Sequence, residues 1–181
     1  MREEISHLPS ARSMVLRKIL FILLGIVIVA LALVYVYYQN STPLTFQTAS
    51  KQGQATENQI GSPQIVVVTE IPAQPVYGIR TADQEILRDT DYSKYFLVIA
   101  LFGFGSSEQD EVTKLWQHDH DFWVQATFAT PPDNSEKVSP YQIIKITRSE
   151  LTHFGSISFR LLDDQKMDKA KAEQTITVPT S

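Results

Sequence analysis

"EVTKLWQHDHDFWVQATFA", Glu111 to Ala129, decides the fold class. Glu111–Trp116 alternates apolar and polar residues, and Phe122–Ala129 is rich in residues that favour a pleated, half-buried surface. The linker between them, Gln117–Asp121, is short and polar, and aspartate both tolerates turn geometry and hydrogen-bonds its own backbone. The stretch therefore predicts a β-hairpin with Gln117–Asp121 at its tip. Trp116 and Trp123 fall near the strand ends, where they can pair across the ladder.

The same signature recurs on either side. "QIVVVTE" (Gln64–Glu70) is β-branched and continuous, and "YFLVIALFGF" (Tyr95–Phe104) is apolar throughout, as a strand buried on both faces should be. "YQIIKIT" (Tyr141–Thr147), "SISFRLL" (Ser156–Leu162) and "TITV" (Thr175–Val178) complete a set of seven short strands. Their separators, "PAQP", "GSSEQDE", "TPPDNSE" and "DDQK", are breaker-rich, and Gly103 and Gly105 relax the end of the second strand into a turn or bulge. The expected domain is mainly β: a small antiparallel β-sandwich or partly closed barrel over residues 64–181. Helical turns are expected at Ala82–Asp89 and Thr147–Leu151. The mixed-charge run Asp163–Gln174 reads as a solvated loop or exposed helical turn.

Upstream the chemistry changes. "ILFILLGIVIVALALVYVYY", Ile19 to Tyr38, has no charge and no strongly polar side chain apart from its terminal tyrosines. As a helix rising about 1.5 Å per residue it covers about 30 Å, a hydrocarbon core's thickness, and Tyr35, Tyr37 and Tyr38 sit where a headgroup layer would be. Arg12, Arg17 and Lys18 precede it, and the next basic residue is Lys51. The expectation is one transmembrane helix (19–38), a cytoplasmic segment (1–18) and an exported remainder at the cell membrane. "ALA" at Ala30–Ala32 also has the small-residue pattern of a signal-peptide cleavage site, but bulky residues continue beyond it, which suits an anchor better. Residues 39–63, rich in Gln, Ser and Thr, read as a flexible polar stalk. "NST" at Asn40 fits a glycosylation acceptor only in a eukaryotic secretory pathway.

Composition narrows the function. The 181 residues hold 16 Lys+Arg against 20 Asp+Glu, the wrong balance for a general nucleic-acid binder. The absence of cysteine excludes disulfides, thiolate metal sites and a cysteine nucleophile. Ser106 and Ser107 follow "GFG" without an elbow or phosphate-loop pattern, and the acid pairs Asp110/Glu111 and Asp163/Asp164 read as solvated turns. No catalytic motif emerges, and no cofactor is expected.

On an extended strand His118 and His120 share a face, the minimum for a divalent transition metal such as zinc, though such sites take three or four protein ligands. His153 is the remaining histidine beyond the apolar run, at a distance the sequence leaves open.

The order "YFLVIALFGFGSSE", hairpin, "ATFATPP", "VSPYQIIKITRSEL", "SISFRLLD" resembles the C-terminal domain of PrcB-like proteins, over roughly residues 95–163. Pro140 and Tyr141 match the family's strand opening, Ile146 and Leu151 its closing apolar positions, and Ala129–Pro132 the proline-marked strand end. The chain departs from the family at Gly105–Val112, which lacks the paired glycines and tyrosine, and at Thr147, where the family has proline.

The resemblance implies an extracytoplasmic, non-catalytic β-domain associated with a surface protease. The functional expectation is therefore protein–protein contact, as an accessory or regulatory subunit. The candidate contacts are Trp116, Trp123, Tyr92 and Tyr95, together with the first and last strands as open edges. A metal- or small-ligand-binding sensor using His118 and His120 is the alternative.

Overall fold

The computed structural model describes residues 11–39, 42–52, 61–103, 109–129 and 139–179. The chain forms two units, Met1–Ser41 and Thr42–Ser181. Asn40, Gly105, Ser106, Ser107 and all of "TPPDNSE" lie outside the described residues.

The first unit contains one helix, α1 (Ala11–Gln39), 29 residues long. Every residue from 19 to 34 is exposed, Phe21 by 72% and Leu20 by 66%. No helix among the described residues is long and apolar enough to cross a membrane. The transmembrane helix expected over 19–38 is therefore not supported by the structure.

The second unit is mainly β. In chain order it contains β1 (Thr42–Pro43), β2 (Gln47–Gln52), β3 (Gln64–Val68), α2 (Thr81–Asp89), β4 (Tyr95–Leu101), β5 (Glu111–His118), β6 (Asp121–Thr127), β7 (Tyr141–Thr147), a 3-10 turn (Arg148–Glu150), β8 (Gly155–Asp163) and β9 (Lys166–Val178). A five-stranded sheet has the order β1-β5-β6-β8-β9, and a four-stranded sheet the order β2-β7-β4-β3. All seven expected strands and both helical turns are present.

Three features differ from expectation. The supposed stalk contains β1 and β2, with Leu44 and Ser50 buried; polar edge strands carry no apolar alternation, so the sequence conceals them. The charged run 163–174 is the end of β8, a tight turn and the first half of β9, an edge strand whose Lys171 lies 3.3 Å from Asp163. β6 and β8 run parallel, because the chain crosses to the other sheet as β7 between them.

The two sheets share a core in which Phe96, Phe122 and Phe159 pack at centroid distances of 4.6–6.2 Å. A second cluster covers the other face of the four-stranded sheet: Leu97, Ile99 and Ile143 pack beneath Leu87 of α2 and Ile79 of the preceding loop. β4 is buried on both faces because it faces both clusters, which explains its unbroken apolar run.

β3 and β9 are sheet edges, as the sequence suggests, but they are drawn together. Val67 N donates to Gln174 Oε1 across the gap at 2.9 Å, half-closing the sandwich. Gly103 turns at φ +92, and a Cβ there would come within 2.9 Å of the Ser62–Pro63 backbone. The acid pairs are not simply solvated: Asp110 and Asp163 are buried, the first accepting Ala129 N at 2.7 Å and the second Gln165 N at 3.0 Å.

Candidate functional site

The hairpin forms as the sequence predicts, with a tighter tip. His118 pairs with Asp121, leaving only Asp119 and His120 in the turn. Asp119 takes φ +52, a left-handed conformation that aspartate adopts more readily than most residues. Trp116 sits directly opposite Trp123, their rings 5.4 Å apart.

Strand register extends this pair into a row along the outer face of the sheet. Trp123 neighbours Arg160 on β8, and Arg160 neighbours Glu173 on β9. The adjacent row is His118, Asp121, Ser158 and Thr175. Arg160 lies 3.4 Å from both Asp121 and Glu173. Ser158 donates to Glu173 at 2.6 Å and, with Arg160's charge, holds the Glu173 carboxyl below its ordinary range. The His118 ring stacks near Trp123 at 6.4 Å, and the Lys114 ammonium lies 5.6 Å from the Trp116 ring centroid. Trp116 is buried and Trp123 half-buried, so the face presents one indole edge framed by charged and polar groups.

The two tyrosines belong elsewhere. Tyr92 is half-buried against α2 and donates its hydroxyl to Leu87 O at 2.7 Å; burial pushes its pKa up to about 12. Tyr95 opens β4 in the other sheet, with the Lys145 ammonium 4.2 Å from its ring centroid. The four aromatics expected to mediate contact therefore do not form one surface.

The histidine pair is also split. His118 lies toward Trp123, whereas His120 lies toward His153, with ring centroids 5.8 Å apart. His153 arrives through Gln117, a buried side chain that the sequence reading placed only in the loop. Gln117 Nε2 donates to the carbonyls of Asp119 and His153, and its Oε1 accepts Thr152 N. As the side chains stand, no three His, Asp or Glu residues among those described are gathered so as to hold a metal ion.

Sequence reasoning missed a cleft of about 310 Å³ between α2 and the loop before it, lined by Val76, Tyr77, Ile79, Thr81 and Arg88 among others. The loop is fixed there by Gln84, whose side-chain amide bonds both the N–H and the carbonyl of Val76. Nearby, Tyr141 donates to Asp83 and accepts Arg80 N, tying the start of α2 to β7. Burial and the Asp83 contact raise the Tyr141 pKa well above its ordinary value.

No protein-family model matches the chain, and neither a curated protein nor a solved structure matches it.

Proposed function

We propose that the chain is a single-pass membrane protein whose β unit stands outside the cell membrane and acts by contact with another protein. The observation that carries the reading is the exposed apolar surface of α1 from residue 19 to residue 34, on a unit distinct from the β unit. Apolar surface on that scale is not left in water; a bilayer is the solvent that suits a helix apolar on all sides. The basic residues before the run favour an inward N-terminus. The resemblance to PrcB-like domains supports an accessory or regulatory role beside a surface protease, and the contact face proposed is the Trp123 edge with Arg160 and Lys114.

The metal-sensor alternative through His118 and His120 draws no support from the way those two rings diverge.

The test uses the full chain with a C-terminal tag. It should remain in membranes after alkaline washing, and its tag should be digested by protease added outside intact cells. Release by the wash, or a protected tag, overturns the anchoring and orientation. Crosslinking and mass spectrometry of the captured chain should then recover a protease or its maturation factors, and Trp123→Ala should abolish that crosslink. Recovery unchanged by Trp123→Ala moves the contact off this face.

A further inference from the structure

The cleft beside α2 has fixed walls. Gln84 bonds both main-chain groups of Val76, and the Tyr141 hydroxyl accepts Arg80 N, so the loop is tied to α2 and to β7. Val76 and Ile79 also pack into the second apolar cluster, Ile79 with only 6% of its surface exposed. Between Tyr77 and Ile79 the chain turns at Gly78, whose φ of +87 suits a residue without a Cβ. The hollow of about 310 Å³ adjoins a smaller one lined by Pro72, Ala73 and Leu87, and Pro75, Gln84 and Arg88 line both. Its volume falls at the small end of the ~300–1,000 Å³ range of ligand pockets.

Polar side chains also line the hollow, and they are unused. Tyr77, Thr81, Glu85 and Arg88 are exposed, and none of them makes a side-chain hydrogen bond or ion pair among the described residues. By contrast, Arg80, Arg148 and Arg160, the other arginines of the β unit, are all engaged with other groups. Glu85 and Arg88 are three positions apart on α2, a spacing that puts Cβ atoms about 5–6 Å from each other and favours an ion pair. They form none. An acid and a base therefore stand side by side, next to the apolar Pro75, Val76 and Ile79.

We propose that this cleft binds a free α-amino acid with an aliphatic side chain. The ligand's carboxylate takes the Arg88 guanidinium, whose fork matches two oxygens, and its ammonium takes the Glu85 carboxylate. Its side chain goes against Pro75, Val76 and Ile79, with the Tyr77 ring at the rim. A peptide terminus would present only one of the two charges, whereas a free amino acid carries both on groups flanking a single carbon. The inference goes beyond the protein-contact reading and shares no residue with the Trp123 face, so either can fail alone.

The experiment is a calorimetric titration of L-leucine into the full chain in detergent micelles near neutral pH, with glycine, isocaproate and isopentylamine as comparisons. Saturable one-to-one binding of L-leucine is expected, at least about tenfold tighter than that of glycine, which has no side chain to bury. Isocaproate lacks leucine's ammonium and isopentylamine its carboxylate, and each should bind more than about tenfold more weakly than leucine. Arg88→Met and Glu85→Gln should each weaken leucine binding by a similar factor, whereas Trp123→Ala should leave it unchanged. Both cleft substitutions are at exposed positions, and circular dichroism checks that each variant is folded. Absence of saturable leucine binding overturns the proposal. So does isocaproate binding as tightly as leucine, or a loss in Trp123→Ala as large as that in Arg88→Met.

Discussion

Arg148 and Gln117 are both buried, and both bond to three main-chain groups, yet they do different work. Arg148 donates to the carbonyls of Tyr92, Thr69 and Pro179, which belong to the segments before β4, after β3 and after β9. Gln117 bonds Thr152 N and the carbonyls of Asp119 and His153, all at the hairpin tip or in the loop before β8. The same stretch, residues 148–154, thus anchors to both. A guanidinium fans its donors outward and can bridge three distant segments, whereas an amide pairs a donor with an acceptor and joins two neighbouring ones. One residue holds the two sheets' ends together; the other shapes a surface.

That contrast is breakable. Arg148→Met keeps much of the volume and leaves three carbonyls without their donor, at about 1–3 kcal/mol for each group that water cannot reach. Some of the three will rehydrate, so a loss of about 2–3 kcal/mol in global stability is expected, measured by chemical denaturation. Hydrogen exchange should quicken throughout β3, β4 and β9. A loss confined to one of those strands would mean that Arg148 is as local as Gln117.

Gln117→Leu should cost less, about 1–2 kcal/mol, because Asp119, Thr152 and His153 are exposed and can turn to water. Exchange should quicken at Thr152 N and leave β4 unchanged. A global effect equal to that of Arg148→Met would erase the distinction between the two.

How much of this was legible depends on which interactions are local. The Trp116–Trp123 pair could be read directly, because a hairpin's register follows from its short linker. β4 was legible because burial on both faces leaves an unbroken apolar run. β1 and β2 were not, since Thr42–Pro43 and Gln47–Gln52 have the composition of a linker and pair only at sheet edges. Nor were the roles of Arg148 and Gln117, which are polar residues whose partners lie 31 to 79 and 2 to 36 positions away. Hydrophobic periodicity reports which face is buried and is silent on which polar side chain goes in with it. His153 fell into the same blind spot: its place beside Asp119 is set by Gln117, not by spacing along the chain.

Tyr92 sharpens the Arg148 side of the comparison, since its carbonyl serves Arg148 and its hydroxyl bonds Leu87 O. Burial raises its pKa from 10.0 to about 12, so the folded chain holds the proton more tightly than the unfolded one. The stabilisation is fully present below about pH 10 and is lost as pH rises through about 12. Tyr92→Phe should flatten the alkaline limb of the stability curve and cost about 1 kcal/mol at neutral pH for the lost hydrogen bond. An unchanged alkaline limb would show that Tyr92 is reached by water in the folded chain.

Asp91 gives the smallest effect and the opposite sign. Its carboxylate accepts the hydroxyl and N–H of Ser93 and lies 3.0 Å from Lys94 Nζ, holding the turn that presents the Tyr92 carbonyl. The Ser93 hydroxyl and the Lys94 contact lower its pKa to about 2 from 3.8, so the folded chain releases this proton more readily than the unfolded one. The contribution is present above about pH 4 and is lost as pH falls through about 2. Because the group is at the surface, salt should screen the Lys94 part while leaving the Ser93 hydrogen bonds in place. Titrating the Asp91 carboxyl by NMR at low and high salt separates the two. A pKa that stays low in high salt makes the turn a hydrogen-bonded brace for Arg148's acceptor; one that returns toward 3.8 makes it a surface ion pair with no bearing on that knot.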